Sequence, residues 1–213
     1  MASAQPQPRP QSIAEPQPQT ITPEEYLSLD RAATLKSEYL GGRMVAMAGA
    51  SRAHNLITLN VGAAFNAQLA ERPCEVYASD MRVKVEASRD YTYPDVVAVC
   101  EEPHFEDGAL DILLNPAVVV EVLSSSTQDY DRGTKFALYR TIESLRDYVL
   151  ISQDRVRVEH YARQGAFQWL LTEYAEMSDT LSLPSVDVTL SLSAIYRKVG
   201  FPEADSGERA TSP

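Results

Sequence analysis

No run of apolar residues in this chain approaches the ~18 that would span a bilayer, so a membrane-embedded protein is not expected. Cysteine is nearly missing. Cys74 and Cys100 are the only two, and they share no metal-like spacing. The segment from Met1 to Gln19 is rich in Pro, Gln and Ala and lacks the apolar stretch of a signal peptide. Two isolated thiols without such a signal point to reduced cysteines and a cytoplasmic location. Histidine is equally scarce: His54, His104 and His160 are scattered, which disfavours zinc. Several enzyme signatures are absent as well. There is no G-x-x-x-x-G-K-[ST], no G-x-G-x-x-G, no H-E-x-x-H and no G-x-S-x-G, so no organic cofactor or nucleophile elbow is indicated. Ser124-Ser125-Ser126 reads as a polar loop. Positive charge is also in short supply. Nineteen Lys and Arg face 30 Asp and Glu, a formal charge of −11. A constitutive DNA binder usually carries a basic face, and an acidic protein repels a polyanion at long range. Any DNA binding should therefore be weak without divalent metal, unless the substrate is not bulk DNA.

What is present is enough for one folded domain. Of the 213 residues, 44% are hydrophobic. Residues 1–20 read as a Pro/Gln-rich disordered tail, 21–201 as the folded domain and 202–213 as a second loose tail. Thr22-Pro23-Glu24-Glu25 is a capping box that starts a helix running to about Asp30. Ser37 to Met47 reads as a hairpin around Gly41-Gly42. Ser51 caps a second helix, about Ala53 to Glu71, with Leu56, Leu59 and Phe65 among its apolar positions. Period-two segments follow at Glu75 to Ser79, Met81 to Glu86, Pro94 to Cys100 and Ala117 to Leu123. A helix is expected over Tyr130 to Ile142, then strands near Tyr148 to Ile151, Arg155 to Tyr161 and Phe167 to Tyr174. A short helix at Leu192 to Val199 closes the order. This is a mixed α/β (α+β) layout, expected to form a central mixed sheet flanked by helices.

Two carboxylates stand out. The run Ala117-Val118-Val119-Val120-Glu121-Val122-Leu123 suggests a strand buried on both faces, interrupted by Glu121. An ionised group there must be paired or metal-bound. A buried ion pair with Arg or Lys and a metal ligand are the two readings. Asp95 sits at the mouth of another apolar strand, after Pro94, which a strand tolerates at its first residue. Alone, Pro-Asp is a turn signal. Two carboxylates on two buried strands suit a hard cation such as Mg²⁺, which takes one or two carboxylates and keeps water. Lys135 lies one turn before Tyr139, at the border of an inward stripe formed by Phe136 and Tyr139. Its bland alternative is a solvated i,i+4 pair with Asp131.

Four motifs then occur in order: Glu38-Tyr39-Leu40-Gly41-Gly42, Pro94-Asp95-Val96-Val97, Val120-Glu121-Val122-Leu123-Ser124 and Tyr130-Asp131-Arg132-Gly133-x-Lys135. They resemble the Uma-type family of bacterial endonucleases, within the PD-(D/E)xK restriction-enzyme superfamily, over roughly Ile21 to Val199. The resemblance implies a restriction-endonuclease-like fold and hydrolysis of DNA with Mg²⁺ or Mn²⁺. It also implies that Asp95 and Glu121 hold the metal. A lysine usually follows the Glu by two residues in that superfamily. Position 123 is Leu here, so the resemblance places the lysine function on the following helix at Lys135. Glu38 matches an acidic position that completes the metal site; otherwise it is an exposed hairpin residue. Asp80, a turn-capping Asp on its own, and His54, near a helix start, form a second tier. Arg43, Arg52, Arg82, Lys84 and Arg132 are candidate phosphate contacts. Cutting both strands of a duplex makes a homodimer the economical expectation. The rival reading is a catalytically silent nuclease fold serving as an interaction or regulatory module, which the −11 charge favours.

Overall fold

The computed structural model describes residues 20–47, 49–124 and 127–201, so the expected tails, apart from Thr20, lie outside the described residues. Helix α1 (Pro23–Ala32) begins at the capping box. Thr22 N donates to Glu25 Oε2 at 2.8 Å, and Glu25 N donates to Thr22 Oγ1 at 3.2 Å. Strands β1 (Ser37–Leu40) and β2 (Arg43–Ala46) form the hairpin. Its turn needs two successive left-handed residues, which Gly41 (φ +55°) and Gly42 (φ +86°) supply. Helix α2 (Arg52–Leu69) is capped by Ser51, whose Oγ accepts from His54 N at 3.0 Å. Its buried stripe is Ile57, Val61, Phe65 and Leu69, at the four-residue spacing of one helix face. Leu59, expected in that stripe, points the other way and is 68% exposed, since two residues along a helix turn by about 200°.

Beyond α2 come β3 (Glu75–Ala78), β4 (Arg82–Val85), β5 (Asp90–Thr92), β6 (Val96–Val99), β7 (Ile112–Leu113) and β8 (Val118–Leu123). The expected helix over Tyr130 to Ile142 is instead three short pieces: α3 (Gln128–Tyr130), a π-turn (Asp131–Lys135) and α4 (Phe136–Tyr139). Strands β9 (Asp147–Ser152), β10 (Val158–Arg163), β11 (Trp169–Tyr174), β12 (Thr180–Leu183) and β13 (Val188–Ser191) lead into α5 (Leu192–Ile195). The class is α+β as expected, but one central sheet was too simple. A six-stranded sheet, ordered β11-β10-β9-β8-β6-β3, faces a five-stranded sheet, ordered β2-β1-β5-β4-β7, and β12-β13 form a small third one. Strands β5, β7, β12 and β13 escaped the sequence reading because each is short and its apolar residues are few.

The two faces of the six-stranded sheet bury different cores. Val96, Ala98, Val118, Val120, Val122, Val149 and Ile151 pack with α2, β12, β13 and α5. Val97, Val99, Val119, Leu123, Tyr148 and Leu150 pack with Val83 and Val85 of the second sheet and with Tyr139 of α4. The alternation along each strand is what separates the faces.

The cysteines are the clearest correction. In the antiparallel register of β3 and β6, Glu75 faces Val99, so Cys74 and Cys100 fall opposite each other at the next position. Their Cα atoms are 4.0 Å apart and the sulfurs are bonded. Twenty-six residues of separation hid a pair that only the strand register brings together.

Arg82 is likewise not a phosphate contact. Arg82 and Asp30 are each 5% exposed and joined at 2.5 Å. Tyr93 OH donates to the same Asp30 oxygen at 2.6 Å, Ser37 N donates to the other at 2.8 Å, and Arg82 also reaches Asp111 at 2.6 Å. This network ties α1 and β1 to β4 and to Tyr93 just after β5. Burial pushes the Asp30 carboxyl up, but the Tyr93, Arg82 and Ser37 contacts outweigh it and hold it below its usual value. Removing one member of a buried ion pair leaves the other uncompensated. Asp30→Asn should therefore cost about 3–5 kcal/mol at neutral pH, read by chemical denaturation. Because the folded carboxyl titrates lower than the unfolded one, its contribution is present above the unfolded pKa and fades as pH falls through the folded one. The gap between wild type and variant should narrow in that acidic window. A gap that does not change with pH contradicts the assignment.

Candidate active site

Register places the two predicted metal ligands side by side. In the β6–β8 pair Val96 faces Val120, so one step further Asp95 comes opposite Glu121. Both then share the face of Val97, Val119 and Leu123, the one covered by the second sheet and α4. Asp95 is anchored there by Val122 N, which donates to its Oδ2 at 2.7 Å. The same oxygen lies 3.3 Å from His54 Nε2, delivered by the first turn of α2.

Glu38 enters from the opposite sheet. It lies on β1, is 7% exposed and accepts from Tyr93 N at 3.1 Å, so it is no surface hairpin residue. Lys135 bridges the sheets: its Nζ is 2.9 Å from Glu121 Oε1 and 3.0 Å from Glu38 Oε1. Asp131 Oδ1 stands 3.8 Å away on the same ammonium. Tyr139 OH donates to Glu121 Oε1 at 3.0 Å and to Thr92 Oγ1 at 2.8 Å in alternative directions of one hydroxyl. Tyr148 OH donates to the Asp131 carbonyl at 3.0 Å.

The π-turn explains why Lys135 is 6% exposed and not at the border of a stripe. Phe136 N donates to Asp131 O, a five-residue step that widens the turn by one residue. The extra residue carries both Asp131 and Lys135 inward. Such turns cluster at functional sites. Asp131 appeared in the sequence within the Tyr130 to Lys135 motif and as the i,i+4 neighbour of Lys135, with no site role assigned to it. Nothing in the sequence signals the widened turn that buries it.

The electrostatics are lopsided. Three carboxyls, Glu38, Glu121 and Asp131, surround one ammonium, and a fourth, Asp95, lies opposite Glu121. If all are ionised, three negative charges are in excess. Burial holds the Glu121 carboxyl well above its usual range, opposed by Lys135 and reinforced by Asp131, Asp95 and Glu38. Burial also raises Asp131, with Lys135 again opposing. For Lys135 burial favours the neutral amine, but Glu121, Glu38 and Asp131 outweigh it and keep the ammonium charged.

Other candidates stand apart. Asp80 lies in a turn, 86% exposed at its side chain, on Lys36 Nζ at 2.8 Å. Lys84 is held by Glu106 at 2.6 Å and Arg132 by Glu159 at 2.8 Å, so neither is a free phosphate contact. Arg43 and Arg52 are exposed. His160, which had no partner in sequence, is buried against Asp147 at 2.6 Å, and Ser185 binds the second oxygen of that Asp. The backbone N of His104 donates to Asn115 Oδ1.

Residues 23–194 match the Uma2 family model, described as "Putative restriction endonuclease". Two uncharacterized proteins of Synechocystis sp. (strain ATCC 27184 / PCC 6803 / Kazusa) are similar. The protein sll1609 is 43% identical over 153 residues, 72% of this chain and 86% of its own. The protein slr1290 is 35% identical over 181 residues, 85% of this chain and 94% of its own. The crystal structure of "a putative nuclease belonging to DUF820" from Anabaena variabilis ATCC 29413 superposes with a TM-score of 0.68 at 18% identity. It covers 83% of this chain and 97% of that one, a likeness of fold. The match over nearly all of the described domain, together with these relatives, places the chain in the Uma2 family of restriction-endonuclease-like proteins.

Proposed function

We propose that the protein hydrolyses DNA phosphodiester bonds with a divalent cation, Mg²⁺ or Mn²⁺, held by Asp95 and Glu121. The observation that carries this reading is the crowding of four buried or half-buried carboxyls near the single ammonium of Lys135, which leaves Glu121 and Asp131 above their usual range. Buried charge is normally paired or metal-bound, and here the pairing is incomplete.

The donor set fits a hard cation of low protein coordination. Among the described residues no three His, Cys, Asp or Glu side chains are placed to hold a metal ion together. Mg²⁺ asks for less than that, one or two carboxylates with water and substrate phosphate. Glu121 Oε1 is committed to Lys135 and Tyr139, and Asp95 Oδ2 to Val122 N. Each carboxylate thus keeps its second oxygen for a cation. When bound, such an ion polarises a phosphoryl oxygen and makes water nucleophilic near neutral pH.

The chain's own groups have complementary tasks. Lys135 stays protonated, so it serves as a cation and proton donor, not as a base. It offsets part of the carboxylate field that would repel a phosphate and stabilises the charge that grows on the phosphoryl oxygens. Glu38 holds the ammonium from the opposite sheet, and Tyr139 fixes the Glu121 carboxylate. His54 orients Asp95 through its Nε2. The exposed Arg43 and Arg52 are the remaining candidates for the DNA backbone.

A homodimer fits this reading, whereas the bonded Cys74 and Cys100 remove the reduced-thiol argument for a cytoplasmic location. Two cuts need two sites, and β11, the outermost strand of the six-stranded sheet, leaves a free pairing edge for a second copy. One observation favours the silent interaction module instead: Arg82, Lys84 and Arg132 are all engaged in ion pairs, leaving little basic surface on a chain of charge −11. Under that reading Glu121→Gln alters stability or partner binding with no activity to lose.

Calorimetric titration with Mg²⁺ or Mn²⁺ should show binding that disappears in Glu121→Ala. Plasmid cleavage under the same conditions should be lost in Asp95→Ala. A variant lacking Asp95 that cuts at the wild-type rate sinks the proposal. Lys135→Met should lower metal-free stability by about 3–5 kcal/mol, because Glu121 and Glu38 lose their shared counter-charge. Saturating Mg²⁺ should restore part of that loss by binding the folded state alone. No recovery on adding Mg²⁺ means the carboxylates do not take the ion.

A further inference from the structure

The polar groups facing the cluster are nearly all committed. Lys135 is shared by Glu38 and Glu121, Tyr139 OH by Glu121 and Thr92, and Tyr148 OH is given to the Asp131 carbonyl. Tyr130 differs. It is the last residue of α3, immediately before the π-turn that carries Asp131 and Lys135. Its ring is half-buried, yet its hydroxyl oxygen is sealed from solvent and has no hydrogen-bond partner among the described residues.

That arrangement is unfavourable in the free protein. A buried hydroxyl without a partner costs about 1–3 kcal/mol, and among the described residues it makes no hydrogen bond that a phenylalanine would lose. The hydroxyl lies in the field of Glu38, Lys135, Asp131 and Glu121, and burial with those carboxylates keeps the phenol protonated. It is therefore a neutral donor in a negatively charged site, and it bonds to none of the carboxylates around it. Because the ring is half-exposed and the hydroxyl holds no bond, rotation about χ1 sacrifices no hydrogen bond.

We propose that Tyr130 is a further catalytic residue, whose hydroxyl donates a hydrogen bond to a non-bridging oxygen of the phosphodiester bound at the cluster. This rests on the nuclease reading and names the contact by which the site grips a diester anion that its carboxylates would otherwise repel. Lys135 cannot do this alone, because its ammonium is already divided between Glu121 and Glu38. An uncommitted donor beside it supplies the missing attraction where charge develops on the phosphoryl oxygens.

The test uses Tyr130→Phe, which removes one oxygen and leaves the ring. Three readouts on the full chain separate the outcomes. Thermal unfolding of the variant should be unchanged or raised, since only an unsatisfied group is lost. In protein with ¹³C-labelled tyrosine, the one signal missing from Tyr130→Phe should shift when dimethyl phosphate, a diester too inert to be cleaved, is added with Ca²⁺. Turnover of bis(p-nitrophenyl) phosphate with Mn²⁺ should fall on the order of 100-fold in the variant, the usual effect of losing one such donor. A Tyr130 signal that dimethyl phosphate leaves unmoved overturns the inference, whatever the turnover. So does a clear drop in the unfolding midpoint, which would make the hydroxyl structural. If the signal shifts while wild type turns over no diester, the contact stands and the hydrolytic reading fails.

Discussion

One buried ammonium holds the two larger sheets to a common site. Lys135 meets Glu121 on the six-stranded sheet at 2.9 Å and Glu38 on the five-stranded sheet at 3.0 Å. A charge so deeply placed is tolerable only because carboxylates surround it, and those carboxylates are tolerable only in part because of it. Much of the surrounding structure serves this contact. The antiparallel β6–β8 register sets Asp95 beside Glu121, the hairpin around Gly41 and Gly42 presents Glu38, and the π-turn swings Lys135 and Asp131 inward. Tyr139 then closes the cluster from below by bonding both Glu121 and Thr92.

Local chemistry was legible in the sequence wherever one element determined it. The capping box at Thr22, the Ser51 cap, the Gly41-Gly42 turn and the wholly buried run around Glu121 all read correctly from residue type and spacing. Glu38, Asp95, Glu121 and Lys135 stood out in the sequence one by one, and the structure brings these four near one another. What escaped depends on contacts between distant segments. Cys74 and Cys100 become neighbours only through the β3–β6 register, and Arg82 is buried only because Asp30 comes to it from α1. Lys135 looked like a border residue because a regular helix was assumed, and one extra residue in the turn changes which way it points. Tyr130 opened one of the quoted motifs, but its unpartnered hydroxyl is visible only once every neighbour has been placed.

The acidity of the chain takes on a different meaning beside this site. A formal charge of −11 opposes long-range attraction of a polyanion. Part of that charge is gathered in the buried cluster itself, and other acidic residues are spent on structural pairs with Arg31, Arg82, Lys84 and Arg132. A divalent ion held by Asp95 and Glu121 would remove most of the local excess. Metal would then do two things at once, quieting the field that repels DNA and activating the site. On this account affinity for DNA and catalysis should rise together with divalent metal, and neither should be appreciable without it.

The central claim is that the carboxylate excess around Lys135 exists for a divalent cation. Anomalous diffraction from crystals soaked in Mn²⁺ addresses it most directly. The account requires an anomalous peak within bonding distance of both Asp95 and Glu121, with the Lys135 ammonium still on Glu38. Crystals that show ordered carboxylates, Lys135 in place and no peak at that position at saturating Mn²⁺ would contradict it and leave the cluster a structural bridge between the two sheets.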